Sequence, residues 1–137
     1  MTHPTAKPIK AIILSAGQGR RLLPLTENTP KCLLPVAGKP VLAWQIDALL
    51  AAGIDNITVI TGFQVGLIEE LLQQRYAKHP GIKILFNPFY EVADNLASCW
   101  IARGEMDSDF LILNGDTVIE AALLGPILPV CVAQMPF

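Results

Sequence analysis

The sequence predicts an α/β fold, three layers (α/β/α) built on a mostly parallel sheet. Four short apolar runs, residues 9–15, 57–61, 82–86 and 110–113, have the length and β-branched content of buried strands. Segments of helical period separate them, and strand–helix–strand alternation implies right-handed crossovers between parallel strands. The chain has 137 residues, 52% hydrophobic and 16% charged, which suits one hydrophobic core and excludes intrinsic disorder. Residues 1–137 are therefore read as a single domain.

In the first run Ile12, Ile13 and Leu14 are contiguous, as in a strand covered on both faces. Residues 16–39 show no period and carry Gly17, Gly19, Pro24, Pro30, Pro35 and Gly38, which predicts a long loop. Loops of that length inside a compact domain are commonly functional. Pro40 at a first helical position, Leu42, Ile46, Leu49 and Leu50 on one face, and Gly53 as terminator define a helix. Ile68, Leu71, Leu72 and Tyr76 mark a second helix after the 57–61 strand. Asn95 suits the cap of a short third helix with Leu96, Cys99 and Trp100 facing inward, ending at Gly104. The 110–113 strand runs into Asn114-Gly115-Asp116. A helix over 118–124 and a strand over 130–133, bounded by Pro129 and Pro136, complete the expected elements.

Charge is unevenly placed. Residues 1–46 carry Lys7, Lys10, Arg20, Arg21, Lys31 and Lys39 against Glu27 alone, net +5, and the remainder is net −7. A basic N-terminal third on an acidic body suits an anion pocket, while the overall charge of −2 argues against a nucleic-acid partner. Cys32, Cys99 and Cys131 are far apart and form no CxxC pair, against a disulfide framework or a zinc site. The longest apolar stretch, residues 121–133, is interrupted by Gly125, Pro126 and Pro129 and is too short to span a bilayer. A soluble, cytoplasmic protein with no membrane partner is expected.

Ligands of parallel sheets bind beyond the carboxyl ends of the strands. Both Gly17-Gln18-Gly19-Arg20-Arg21 and Asp116 follow such ends. Glycines let backbone N–H groups approach an anion, and arginine adds a charge-assisted clamp, a combination suited to phosphate. A flexible turn is the plain alternative. A dinucleotide fingerprint fails because Leu22 stands where the third glycine belongs. A P-loop fails because Gly38-Lys39 is followed by Pro40.

A longer pattern does fit. Leu14-Ser15-Ala16-Gly17-Gln18-Gly19-Arg20-Arg21-Leu22-Leu23-Pro24-Leu25-Thr26, then Pro30-Lys31 and Pro35-Val36-Ala37-Gly38-Lys39-Pro40, resembles the nucleotidyltransferases that activate sugar phosphates and phosphocholine. Asn114-Gly115-Asp116 after a hydrophobic strand resembles their second motif. Asn87-Pro88-Phe89-Tyr90 with Asn95, Ser98 and Trp100 resembles the phosphocholine cytidylyltransferase branch, although Asp94 replaces the first asparagine of that branch's usual pair.

The resemblance implies a Rossmann-like fold and Mg²⁺-dependent transfer of a nucleotidyl group from an NTP to a phosphorylated small molecule, with release of pyrophosphate. CTP with a phosphocholine-like acceptor is the first choice, and a sugar 1-phosphate acceptor the second. It implies that Leu14, Ser15, Ala16, Gly17 and Gly19 line the nucleotide, that Arg21 neutralises the triphosphate, and that Lys31 holds the anionic reactants in line. Asp116 would hold the metal, and Asn95 would contact a base or the acceptor. For several of these a plainer role stays open. Asp116 and Asn95 are ordinary helix caps, Lys31 alone is a surface lysine, Arg20 suits a solvated side chain, and Lys39 suits a phosphate contact or a solvated tip equally. Cys32 and Cys99 read as small buried fillers, Trp44 and Trp100 as core or groove residues, and His3 and His79 as solvent-exposed.

The family's catalytic unit is longer, so the chain is expected to be incomplete at its C-terminus, with an uncovered sheet edge inviting self-association. Two further readings follow from the same residues. One is a non-catalytic NTP-binding module, or a subunit completed by another chain. The other is a structural βαβ scaffold with an idle glycine loop.

Overall fold

The computed structural model describes residues 9–16, 23–24, 27–89, 95–106 and 109–115. Four strands, β1 (Lys10–Ser15), β4 (Asn56–Thr61), β5 (Ile82–Phe86) and β6 (Phe110–Asn114), form one sheet in the order β5-β4-β1-β6. Every pairing in it is parallel. β1 is central, with Ser15 opposite Thr61 on one side and Leu14 opposite Asn114 on the other. A two-residue ladder of β2 (Pro35–Val36) and β3 (Lys39–Pro40) forms a separate hairpin.

Helices cover both faces of the sheet. α1 (Val41–Ala51) and α2 (Val65–Tyr76) pack on one face, where Ala11, Ile13, Ile57, Val59, Leu111 and Leu113 meet Leu42, Ile46, Leu49, Ile68 and Leu72. On the other face Ile12, Leu14, Ala16, Ile60 and Ile112 meet Ala102 from the 3₁₀ turn Ala102–Glu105, with half-buried Cys99 from α3 (Asn95–Ile101). This three-layer, parallel arrangement is the one expected from the alternating pattern. α1 is buried on most of its circumference, which suits a helix apolar nearly all round.

Local signals fix the ends of α1. Pro40 precedes it without a side-chain cap, and the Val41 N–H is instead satisfied by Leu34 O at 3.2 Å. At the other end Gly53 sits at φ 88°, its N–H on Leu50 O, while the Ile54 N–H reaches Leu49 O at 2.9 Å. That pair of bonds is the Schellman stop, and it needs a residue free to adopt positive φ.

Two expectations are corrected. Residues 16–39 are not loop throughout, since a 3₁₀ turn (Lys31–Leu33) and the β2–β3 hairpin lie at their end. Trp100 does not face inward: it is 64% exposed, with the Arg103 guanidinium 3.4 Å from its ring centroid. Cys99 takes the inward position, and Trp100, about 100° further round the helix, falls outside the buried stripe. The helix expected over 118–124 and the strand over 130–133 lie outside the described residues. Among the described residues no helix is long and apolar enough to cross a membrane.

Candidate functional site

The carboxyl ends of β1, β4, β5 and β6 meet on one edge of the sheet. At the end of β6 the Gly115 N–H donates to Leu14 O at 2.9 Å, which holds the turn leading towards Asp116 against the end of β1. Contact is so close that a Cβ at position 115 would lie 2.7 Å from Leu14 O, 2.9 Å from Ser15 Oγ and 3.1 Å from Ser15 Cα. Only glycine permits that approach. From the helical face, the fully buried Gln45 of α1 donates through Nε2 to Asn114 O at 2.6 Å. The turn is thus fixed from two directions by residues far apart in sequence.

β1 and β4 extend the same edge. Ala16 O accepts the Phe63 N–H at 3.1 Å, and Ser15 and Thr61 lie opposite each other, both buried. Thr61 Oγ1 has no hydrogen-bond partner among the described residues. Cys32 is buried beneath the edge in the same apolar cluster as Leu42 and Ile46. Burial pushes its thiol up to about 11, while the Ser15 hydroxyl that faces it pulls the other way. Cys32 therefore docks the 3₁₀ turn Lys31–Leu33 beside the end of β1, and Lys31 is the residue before it.

At the end of β5, Asn87 is fully buried and each arm of its carboxamide is engaged. Nδ2 donates to Ser98 Oγ of α3 at 3.0 Å, and Oδ1 accepts the Phe89 N–H at 2.8 Å. Its own N–H donates to Thr61 O at 2.7 Å. These bonds tie the chain leaving β5 to the first turns of α3, where Asn95 begins the helix one turn before Ser98.

Of the residues singled out from the sequence, Leu14, Ser15, Ala16 and Lys31 come together at this edge. Asn95 opens the helix anchored beside it. Gly17, Gly19, Arg20, Arg21 and Asp116 lie outside the described residues, as do His3 and Cys131. Lys39 is not a free tip. Its ammonium pairs with Asp47 and lies 4.5 Å from the centroid of the Trp44 ring. Cys32 is a buried filler as expected, Cys99 and Trp44 are half-buried, and His79 is exposed. Sequence reasoning missed Gln45 and Asp47, and it took Asn87 only as part of a resembling segment, without its bonds to Ser98 and Phe89. The available signal for Gln45 was a polar residue on the otherwise apolar side of α1, between Leu42 and Leu49.

The family model for nucleotidyl transferases matches residues 10–128. The chain belongs to that family. Among its relatives, a choline-phosphate cytidylyltransferase of Streptococcus pneumoniae is 39% identical over 106 residues, 76% of this chain and 43% of the relative. A CMP-5'-(3-aminopropyl)phosphonate synthase of Streptomyces rubellomurinus is 37% identical over 123 residues, 88% of this chain and 19% of the relative. The solved CTP:phosphocholine cytidylyltransferase from Streptococcus pneumoniae superposes with a TM-score of 0.72 at 36% identity, covering 80% of this chain and 46% of that one. A UDP-glucose pyrophosphorylase, at 16% identity and a TM-score of 0.74, shares the fold. This nucleotidyl transferase chain spans less than half the length of the curated relatives above. The motifs that carried the resemblance lie within the matched span.

Proposed function

We propose that this carboxyl edge binds a nucleoside triphosphate and serves nucleotidyl transfer to a phosphorylated small molecule. The observation that carries the reading is the junction of β1 and β6. The Gly115–Leu14 bond, with no room for a Cβ, sets the residue that precedes Asp116 against the end of β1, from which the glycine loop departs in sequence. Lys31 is docked beside that junction through Cys32.

In this reading backbone N–H groups of residues 16–19 cradle the phosphates, and Arg21 offsets the charge of the departing pyrophosphate. Lys31 draws together two anions that would otherwise repel, the α-phosphate and the acceptor phosphate. An acceptor oxygen forms a bond to the α-phosphorus as the bond to the bridging oxygen breaks, and pyrophosphate leaves with that electron pair. An ionised acceptor phosphate needs no general base, so positioning and charge neutralisation carry the step. Magnesium suits the donor chemistry: one carboxylate, Asp116, together with substrate phosphate oxygens, is a usual way for this hard cation to be held. Bound there, it would neutralise charge on the phosphates. Among the described residues no cluster of three His, Cys, Asp or Glu offers a metal site formed by the protein alone.

CTP and a phosphocholine-like acceptor are the preferred substrates. This choice is supported by the Asn87–Trp100 segment and by the cytidylyltransferases among the relatives. Sugar 1-phosphates come second, supported by relatives such as the mannose-1-phosphate guanyltransferase of Gibberella zeae. Such substrates would place the protein in the cytoplasm. Pyrophosphate release measured with each of four NTPs against both acceptor classes tests the proposal, and release with none of them refutes catalysis by this chain. A second reading of the same residues is that the chain binds NTP without turnover. Calorimetric NTP binding with no pyrophosphate release selects that reading.

A further inference from the structure

Asp47 of α1 gathers groups from two other elements. Tyr76 of α2 donates its hydroxyl to Asp47 Oδ1 at 2.6 Å, and Arg75 Nη2 lies 3.5 Å from Oδ2. Lys39, from β3 of the hairpin, pairs with the same Oδ2. Trp44, one turn earlier on α1, lies under the Lys39 ammonium and donates Nε1–H to Val36 O at 2.7 Å. Both strands of the hairpin are therefore fastened to α1, β3 through Lys39 and β2 through Val36.

The hairpin is the direct continuation of the segment that carries Lys31. The Leu33 N–H donates to Pro30 O at 2.9 Å, the Leu34 N–H to Lys31 O at 3.1 Å, and the Val41 N–H back to Leu34 O at 3.2 Å. Residues 30–41 thus form a closed lap of chain with two anchors. Cys32 is buried in the core at one end, and the Lys39–Asp47 pair holds the other. A two-residue ladder alone would be marginal without such tertiary support.

We propose that Asp47 is a positioning residue for the nucleotide site: by holding Lys39, with Tyr76 and Arg75 behind it, it fixes the 30–41 lap and so the placement of Lys31 at the carboxyl edge. The inference rests on the proposed nucleotide site. It assigns Lys39 to holding this lap, away from phosphate binding. Electrostatics gives a test of sign. Removing the Asp47 carboxylate takes one negative charge from the chain, which on Coulombic grounds alone favours an incoming triphosphate. Loss of positioning predicts the reverse.

The experiment compares the full chain with Asp47→Asn, Asp47→Glu and Tyr76→Phe by amide hydrogen exchange and by calorimetric titration with CTP and magnesium. The expected result is exchange at least tenfold faster at Leu33, Leu34 and Val41 in Asp47→Asn, with Ile13 and Val59 in the sheet unchanged. CTP affinity is expected to fall about tenfold despite the more favourable charge. Asp47→Glu, which keeps a carboxylate within reach of Lys39, is expected to restore both properties to within threefold. Tyr76→Phe, which leaves the charge unchanged, is expected to shift both in the direction of Asp47→Asn. Unchanged exchange at those three amides overturns the inference and leaves the proposed function standing. So does CTP binding by Asp47→Asn that equals or exceeds the wild type. A wild-type chain that binds no CTP refutes the nucleotide site itself, and this inference with it.

Discussion

Gly115→Ala is expected to loosen the junction that defines the site. The new methyl carbon would stand 2.7 Å from Leu14 O and 3.1 Å from Ser15 Cα, both backbone atoms, and 2.9 Å from Ser15 Oγ. A flexible side chain could swing away, but two strand backbones in register cannot, so β6 or β1 must shift at its end. Overpacking of this kind costs about 2 kcal/mol. For a chain of this size that corresponds to a fall in Tm of about 6–10 °C. Gly66→Ala is the matched control. Nothing lies within 4 Å of a Cβ there, and Gly66 is inside α2, so the same substitution should stabilise by about 0.5 kcal/mol through reduced backbone freedom in the unfolded chain. Thermal unfolding followed by circular dichroism reads both. Opposite signs are expected. A Gly115→Ala melting point at or above wild type would refute the close-approach argument and remove the geometric support for holding residue 115 against the β1 end.

Asn87→Ala should cost about 2–4 kcal/mol, because it strips the partner from the buried Ser98 hydroxyl, frees the part-buried Phe89 N–H and empties a fully buried site; denaturant unfolding with unchanged m checks it. Cys32, pushed up to about 11 from 9.0 by burial, should react with iodoacetamide at pH 8 about a hundredfold more slowly than a free thiol, as read by peptide mass mapping. Because the folded thiol keeps its proton to higher pH than the unfolded one, stability present below pH 9 is lost as pH rises from about 9 to 11. At Asp47 burial pushes the carboxyl up, but Lys39, Tyr76 and Arg75 outweigh it and hold the carboxyl below its usual value. Its contribution is therefore present above the ordinary carboxylate range and lost as pH falls through its own lower pKa, and an acid limb that Asp47→Asn lacks would report it. Lys31→Ala should weaken CTP binding about tenfold and flatten its salt dependence, measured by titration at two ionic strengths.

The layer architecture was legible because the strands are short, contiguous and apolar, and because Gly53 supplies a stop signal that works locally. The hairpin was not. Its strands are two residues each and include Pro35 and Pro40, and its turn places Ala37 at φ 51° and Gly38 at φ 78°. What fixes it comes from Trp44 and Asp47, which are tertiary partners that no local period announces. Trp100 was misread because large aromatics are usually buried, whereas here Ala102 and Cys99 fill the space under the sheet and Arg103 covers the ring. At the site, the glycine loop and Asn114-Gly115 stood out as motifs. Gln45 and Asn87 act through bonds spanning 69 and 11 positions, so their roles emerge only once the sheet is assembled.

Calorimetric titration of the chain with CTP and magnesium, beside Arg21→Ala, measures the central claim most directly. Saturable one-site binding that weakens about 10- to 100-fold in Arg21→Ala, the scale of one lost charge-assisted contact, is the predicted result. Binding of equal strength in the two proteins, or no heat in either, would contradict it.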